Sequence, residues 1–200
     1  DPLLLSRTRP ERIAKVIQDG RVDGIMIIQS DLDDRHIRQT IASGLPCVVL
    51  NRDLPKGFDS DRVGCVYSDH RRMMAGVVDE FVSLGCRRIL NFSSATGLFA
   101  SKECFEGFNA AIACHAGRGV IGSTIPPVWA HYEPQANGLF EQGPQWDGIF
   151  VNGSPLTGAL LRAAEARGLK PGRDFHLITT DAFPETETYA GAEPHRRREA

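Results

Sequence analysis

Shifted by 124 residues, the chain lies on itself: residues 8 to 45 and 132 to 169 share eleven identities, where average residue usage gives about two or three. The pairs are Pro10/Pro134, Gln18/Gln142, Asp23/Asp147, Gly24/Gly148, Ile25/Ile149, Ser30/Ser154, Leu32/Leu156, Arg38/Arg162, Ala42/Ala166, Gly44/Gly168 and Leu45/Leu169. They fall where local structure should repeat: an Asp-Gly-Ile opening, a Ser beyond the apolar run, then a Gly-Leu exit. A period of this kind requires one supersecondary unit to occur twice. It predicts two similar lobes, an N-terminal one over 1–92 and a C-terminal one over 93–183, followed by a tail over 184–200 with no structural assignment.

Inside that frame, apolar runs alternate with helical stretches. Leu3-Leu4-Leu5 reads as a strand, and Thr8-x-x-Glu11 is a capping box that opens a helix. Val22 to Ile28 reads as a strand buried on both faces, and a helix from Asp33 or Asp34 closes at Gly44 before a strand over 45–50. Further strands are expected over 63–67, 88–92, 146–151 and 175–180, with helices over 69–84 and 101–114. A last helix should start with Ser154 as N-cap and Pro155 at its first position, stopping at Gly168. Strands joined by helical crossovers pair in parallel. The expected fold is therefore α/β, two similar Rossmann-like lobes with parallel sheets, whose strand ends face an interlobe ligand cleft.

Composition removes several function classes. A net charge of −2 over 200 residues gives no positive field for phosphate neutralisation, so nucleic acid is not expected to bind this stretch directly. Five cysteines without a C-x-x-C pattern point to a reducing cytosol. The longest apolar run, Ile25 to Ile28, is far short of a membrane span, and no charged-then-apolar leader opens the chain. Gly117-Arg118-Gly119-Val120-Ile121-Gly122 spells a dinucleotide fingerprint, but Pro126 and Pro127 follow where its helix should continue. The six histidines lack metal-ligand spacing with the cysteines, and no nucleophile–base pair can be nominated. The chain reads as a non-enzyme with no cofactor and no metal.

The segments Val22-Asp23-Gly24-Ile25-Met26-Ile27, Gly44 to Arg52, Ser68-Asp69, Leu84-Gly85-Cys86-Arg87-Arg88-Ile89, Glu106-Gly107-Phe108, Trp146-Asp147-Gly148-Ile149-Phe150 and Gly168 to Asp174 occur in this order. Together they resemble the effector-binding core of LacI/GalR-type bacterial transcriptional regulators, which shares its fold with periplasmic sugar-binding proteins (type I). The resemblance covers residues 3 to about 183. It implies a cytoplasmic repressor domain that binds a small polar effector, a sugar foremost, and controls operator binding allosterically. It also implies a homodimer, with operator DNA held by an N-terminal headpiece absent from this chain, and no membrane. A transport-associated periplasmic sugar-binding protein is the alternative. The abrupt start at Asp1 and the unfamiliar stretch after Asp181 suggest a partial chain.

Residue by residue, the resemblance implies five ligand contacts. Lys102 stands where the family carries an effector-binding Arg, replacing a bidentate fork with a point charge. Trp129 matches a stacking aromatic; Asn152 matches the Asn of an Asn-Asp pair whose Asp is here Gly153. Asp181 matches a hydroxyl-binding carboxylate after the last strand, and Asp69 an acidic residue after the fourth. Bland uses stand beside these: Asp69 as a helix N-cap, Asn152 satisfying loop amides, Trp129 as core and Lys102 as a solvated first-turn lysine. Leu156, Leu160, Leu161 and Ala164 could serve their own sheet or a partner subunit.

Overall fold

A computed structural model of the chain describes residues 10–28, 35–52, 54, 61–93, 98–128 and 131–180. The expected strand at Leu3 to Leu5, Thr8 of the capping box, and the residues after Thr180 lie outside them. In order, the elements are α1 (Pro10–Gln18), β1 (Ile25–Ile27), α2 (Arg35–Ala42), β2 (Cys47–Leu50), β3 (Val63–Val66), α3 (His70–Ser83), β4 (Arg88–Ser93), α4 (Phe99–His115), β5 (Ile121–Thr124), α5 (Tyr132–Gly138), β6 (Gly148–Asn152), α6 (Ser154–Glu165) and β7 (His176–Thr179). They form two parallel sheets, β1-β2-β3 and β5-β4-β6-β7. The α/β class and the pair of parallel sheets are as the sequence predicts. The two copies of the repeat become α1-β1-α2 and α5-β6-α6, and each leads into a strand, β2 or β7, that pairs beside the copy's own strand.

The chain divides into two compact units, Asp1–Asp69 with Gly97–Lys102, and His70–Thr96 with Glu103–Ala200. The division falls well before the expected boundary at residue 92. The reason is strand pairing: β4 lies between β5 and β6, and α3 packs its buried Met74, Val78 and Phe81 with Ile89 and Phe150 of that sheet. A repeat identifies equivalent units, but it does not say which sheet receives the segment between them.

The second unit holds two cores, one on each face of its sheet. Leu90, Phe92, Ile149 and Val151 meet α5 and α6 through Ala136, Leu156, Leu160 and Ala164; Ile89 and Phe150 meet α3 and α4 through Phe81, Cys104 and Phe108. Strand alternation thus sends successive residues to opposite faces. Leu161 is buried as well. The four residues offered above to a partner subunit are therefore interior to this unit. Ser154 is the first residue of α6 and Gly153 its N-cap, one place earlier than expected. The stretch 116–138 holds two elements the sequence did not signal clearly, β5 and α5. Gly119 at φ 73° ends a short 3-10 turn and Gly122 lies within β5, so the glycine-rich hexad leads into a strand and opens no helix.

Among the described residues the first unit has the smaller core. Ile37, Cys47 and Val49 form its buried cluster, with Ile27, Ile41, Leu54 and Val63 packed around it. The other face of β1-β2-β3 carries Met26, Val48 and Val66, which are 62%, 37% and 64% exposed. The strand expected to be buried on both faces is half-buried on one, through Ile25 and Ile27, and exposed on the other at Met26.

Candidate functional site

In an open parallel sheet the carboxyl ends of the strands are where loops leave and ligands bind. In the second unit that edge is built by β4, β6 and β7. Ser93 and Asn152 are register partners at the ends of β4 and β6. Thr180 follows β7; its hydroxyl donates to Asn152 Oδ1 at 2.9 Å, and its backbone N–H donates to the Val151 carbonyl. Ser93 is buried and Asn152 half-buried. Immediately beyond Asn152 the chain turns through Gly153 at φ 121° into α6. The amide end of that helix therefore follows the same edge, where it favours acceptor oxygens. A φ of this size is a glycine conformation, which explains in backbone terms why Gly153 replaces the Asp the resemblance led one to expect.

Of the five sequence-derived candidates, Asn152 occupies this edge, joined there by Ser93 and Thr180, which sequence reasoning did not single out. Asp69 is exposed and directly precedes α3; Lys102 is exposed in the first turn of α4. Both fall in the first unit. Trp129 and Asp181 lie outside the described residues. A further residue that sequence reasoning left without a role is Arg52, just past β2. It is only 4% exposed, and its guanidinium carbon lies 5.1 Å from the ring centre of Phe99. The preceding Asn51 has φ 58°, unique among described residues other than glycine. An Asn-Arg pair ending an apolar run was the available signal.

Several of the motifs that carry the family resemblance serve the scaffold. The Asp147 carboxylate accepts hydrogen bonds from the backbone N–H groups of Arg87 and Arg88 at 2.9 and 2.7 Å, fastening the start of β4 to β6. A Cβ on Gly148 would come within 2.8 Å of the Phe81 ring. Arg71 pairs with Glu106 of Glu-Gly-Phe and donates to both oxygens of Glu103, one turn earlier in α4, at 2.8 and 2.9 Å. A Cβ on Gly107 would lie 2.7 Å from Arg71 Cα, and Phe108 is fully buried. In the Gly168 to Asp174 turn, a hydrogen bond from Arg173 and another from the Lys170 N–H hold the Asp174 carboxyl below the usual carboxylate range.

None of the five cysteines forms a disulfide. Among the described residues no group of three or more His, Cys, Asp and Glu side chains is placed to hold a metal ion, and no helix is long and apolar enough to cross a membrane.

No protein-family model and no curated protein matches the sequence. Solved structures do match its fold. A regulatory protein of the LacI family from Chloroflexus aggregans superposes with a TM-score of 0.75 at 18% identity, covering 94% of this chain and 67% of that one. A sugar-binding transcriptional regulator of the LacI family from Escherichia coli, complexed with phosphate, gives 0.70 at 21% identity over 92% and 66%. GanP, a glucose-galactose binding protein from Geobacillus stearothermophilus, gives 0.70 at 17% identity over 89% and 64%. The chain thus has the fold shared by LacI-family regulatory proteins and sugar-binding proteins. It spans about two thirds of the length of these three, and 53% of a CelR–cellobiose complex that it also matches.

Proposed function

We propose that this chain is the effector-sensing part of a LacI-type transcriptional repressor and binds a small polar metabolite, a sugar foremost, to control operator binding allosterically. The observation that carries this reading is the edge formed by Ser93, Asn152 and Thr180: hydroxyl and amide groups gathered where an open parallel sheet offers its ligand site. The fold supports it, since its neighbours include a sugar-binding transcriptional regulator and a cellobiose complex. Operator DNA is assigned to a domain other than this one, because a net charge of −2 supplies no field for phosphates. Asp181, Trp129, Lys102 and Asp69 complete the proposed ligand set, and the repressor acts as a homodimer through a surface other than the buried leucines of α6.

The test is a thermal-shift screen of monosaccharides, disaccharides, sugar phosphates and nucleobases. A ligand at about 100 times its Kd stabilises the folded chain by about 2.7 kcal/mol. Asn152→Ala should weaken the hit by about tenfold, the worth of one good hydrogen bond to a ligand. Unchanged affinity in Asn152→Ala, Asp181→Ala and Trp129→Ala would overturn the site. A second reading, a transport-associated binding protein, draws support from the likeness to GanP. Five cysteines outside any disulfide, three of them buried, favour a reducing compartment and hence the regulator.

A further inference from the structure

Asn91 is the least expected side chain in the molecule. It sits in β4, between β5 and β6, fully buried. On β6 its register partner is Phe150, on β5 it is Thr124. Leu would fit an apolar interior without cost, whereas a buried amide has two donors and two acceptor positions to satisfy. One side-chain contact is made: Nδ2 donates to Thr124 Oγ1 at 3.3 Å, while Oδ1 has no hydrogen-bond partner among the described residues. Turning the amide over would exchange the two atoms and leave the nitrogen wanting instead.

Strand alternation fixes what lies above it. Ile89, Asn91 and Ser93 share a face of the sheet, the face of Phe150 on β6 and Ile178 on β7. Toward the amino ends that face is apolar, covered by Phe81 and Phe108. Toward the carboxyl ends polar groups enter in two layers, first Asn91 and Thr124 beside Phe150 and Ile178, then Ser93, Asn152 and Thr180. Successive residues on one face are about 6.6 Å apart along a strand. Two hydrogen bonds through one water span roughly that distance, and a polar cavity with two or more partners is where proteins keep buried water.

We propose that Asn91 Oδ1 anchors an ordered water that bridges to the Ser93 layer, making Asn91 a positioning residue that sets which hydroxyl the ligand edge accepts. The water donates to Asn91 Oδ1 and accepts from, or donates to, the Ser93 hydroxyl, so the orientation of that hydroxyl toward a ligand depends on the amide beneath it. The ligand class it would serve is a neutral polyol, whose hydroxyls both donate and accept hydrogen bonds. The selectivity rests on the sugar-sensing reading above; the water does not.

Two measurements separate them. A crystal structure of the ligand-free chain at a resolution that shows ordered solvent should contain a water within hydrogen-bond distance of Asn91 Oδ1 and of Ser93 Oγ; an amide satisfied wholly by protein overturns the proposal whatever the ligand. Isothermal titration of pentoses, hexoses and their monodeoxy analogues should then show that Asn91→Leu loses about tenfold of the preference for one hydroxylated sugar over its deoxy analogue. Its melting temperature without ligand should be unchanged or higher. Asn91→Ala serves if the Leu variant does not fold. Unaltered preference in a folded variant overturns the positioning role, and a panel in which nothing binds the wild type overturns the sugar-sensing reading while leaving the water result standing.

Discussion

Asn152 shows how a residue can be legible while its partners are not. Its place after the Asp-Gly-Ile strand is visible in the repeat, but Ser93 lies 59 positions away and Thr180 28 positions away. Only strand order brings them together. Gly153 is the converse case, a departure from the family pattern whose reason is backbone geometry. Gly153→Asp should therefore destabilise the chain by about 1–3 kcal/mol, the usual cost of holding a side chain in a sparsely populated backbone region. Urea denaturation would register it as a lower midpoint at constant slope, and an unchanged midpoint would refute the argument.

Titration belongs to the same scale. Burial raises the thiols of Cys86 and Cys104 to about 11, with Asp147 adding to the effect at the first and Glu103 at the second. Above the ordinary thiol range an unfolded chain releases these protons while the folded chain retains them, so the folded state binds more protons and stability falls as pH rises. The fall should run from about pH 9 to 11 and level off beyond. Replacing both residues by Ala or Val should flatten that part of the melting-temperature profile. Cys114, by contrast, is exposed, and a thiol reagent at pH 8 should modify it ahead of the buried pair.

Among elements, the sequence was most informative where one helix or strand has one periodic face. Strands β4 and β6 and helices α3, α4 and α6 lie within a few residues of their expected bounds. The stretch after α4 resisted reading because β5 is four residues of Ile-Gly-Ser-Thr at a sheet edge, with no apolar alternation, and α5 has only seven residues, including a Pro and a Gly. The clamp between α3 and α4 makes a sharp prediction. Gly107→Ala places a Cβ 2.7 Å from Arg71 Cα and 2.9 Å from its carbonyl oxygen, both backbone atoms that cannot rotate aside. Forcing the helices apart should cost about 1–3 kcal/mol, the range for overpacking, measured by chemical denaturation. In α6, Leu160→Ala should cost about 2–5 kcal/mol as a core truncation and leave the sedimentation coefficient unchanged, since Leu160 is fully buried in its own unit.

At the scale of the whole molecule, the repeat made two similar units legible but gave the wrong point of division. Nothing in the residues between 70 and 92 says that α3 and β4 join the later sheet; that follows from their packing with Phe150 and Phe108. The units also differ in how much they bury. Among the described residues, three make the buried cluster of the first, against thirteen and ten in the two clusters of the second. Hydrogen exchange should follow this difference, with the amides of β4 and β6 the slowest in the chain and those of β1 and β3 exchanging through local openings well below the global unfolding free energy. Equal protection in both sheets would contradict it.

The bare side of β1-β2-β3 has a practical consequence for anyone handling the protein. Met26, Val48 and Val66, with Ile28 and Tyr67 close by in sequence, leave apolar side chains in water there. A naphthalene sulfonate dye should brighten on the native chain, and Val66→Lys should dim it while leaving the melting temperature within about a degree, because an outward-facing side chain contributes little to folding.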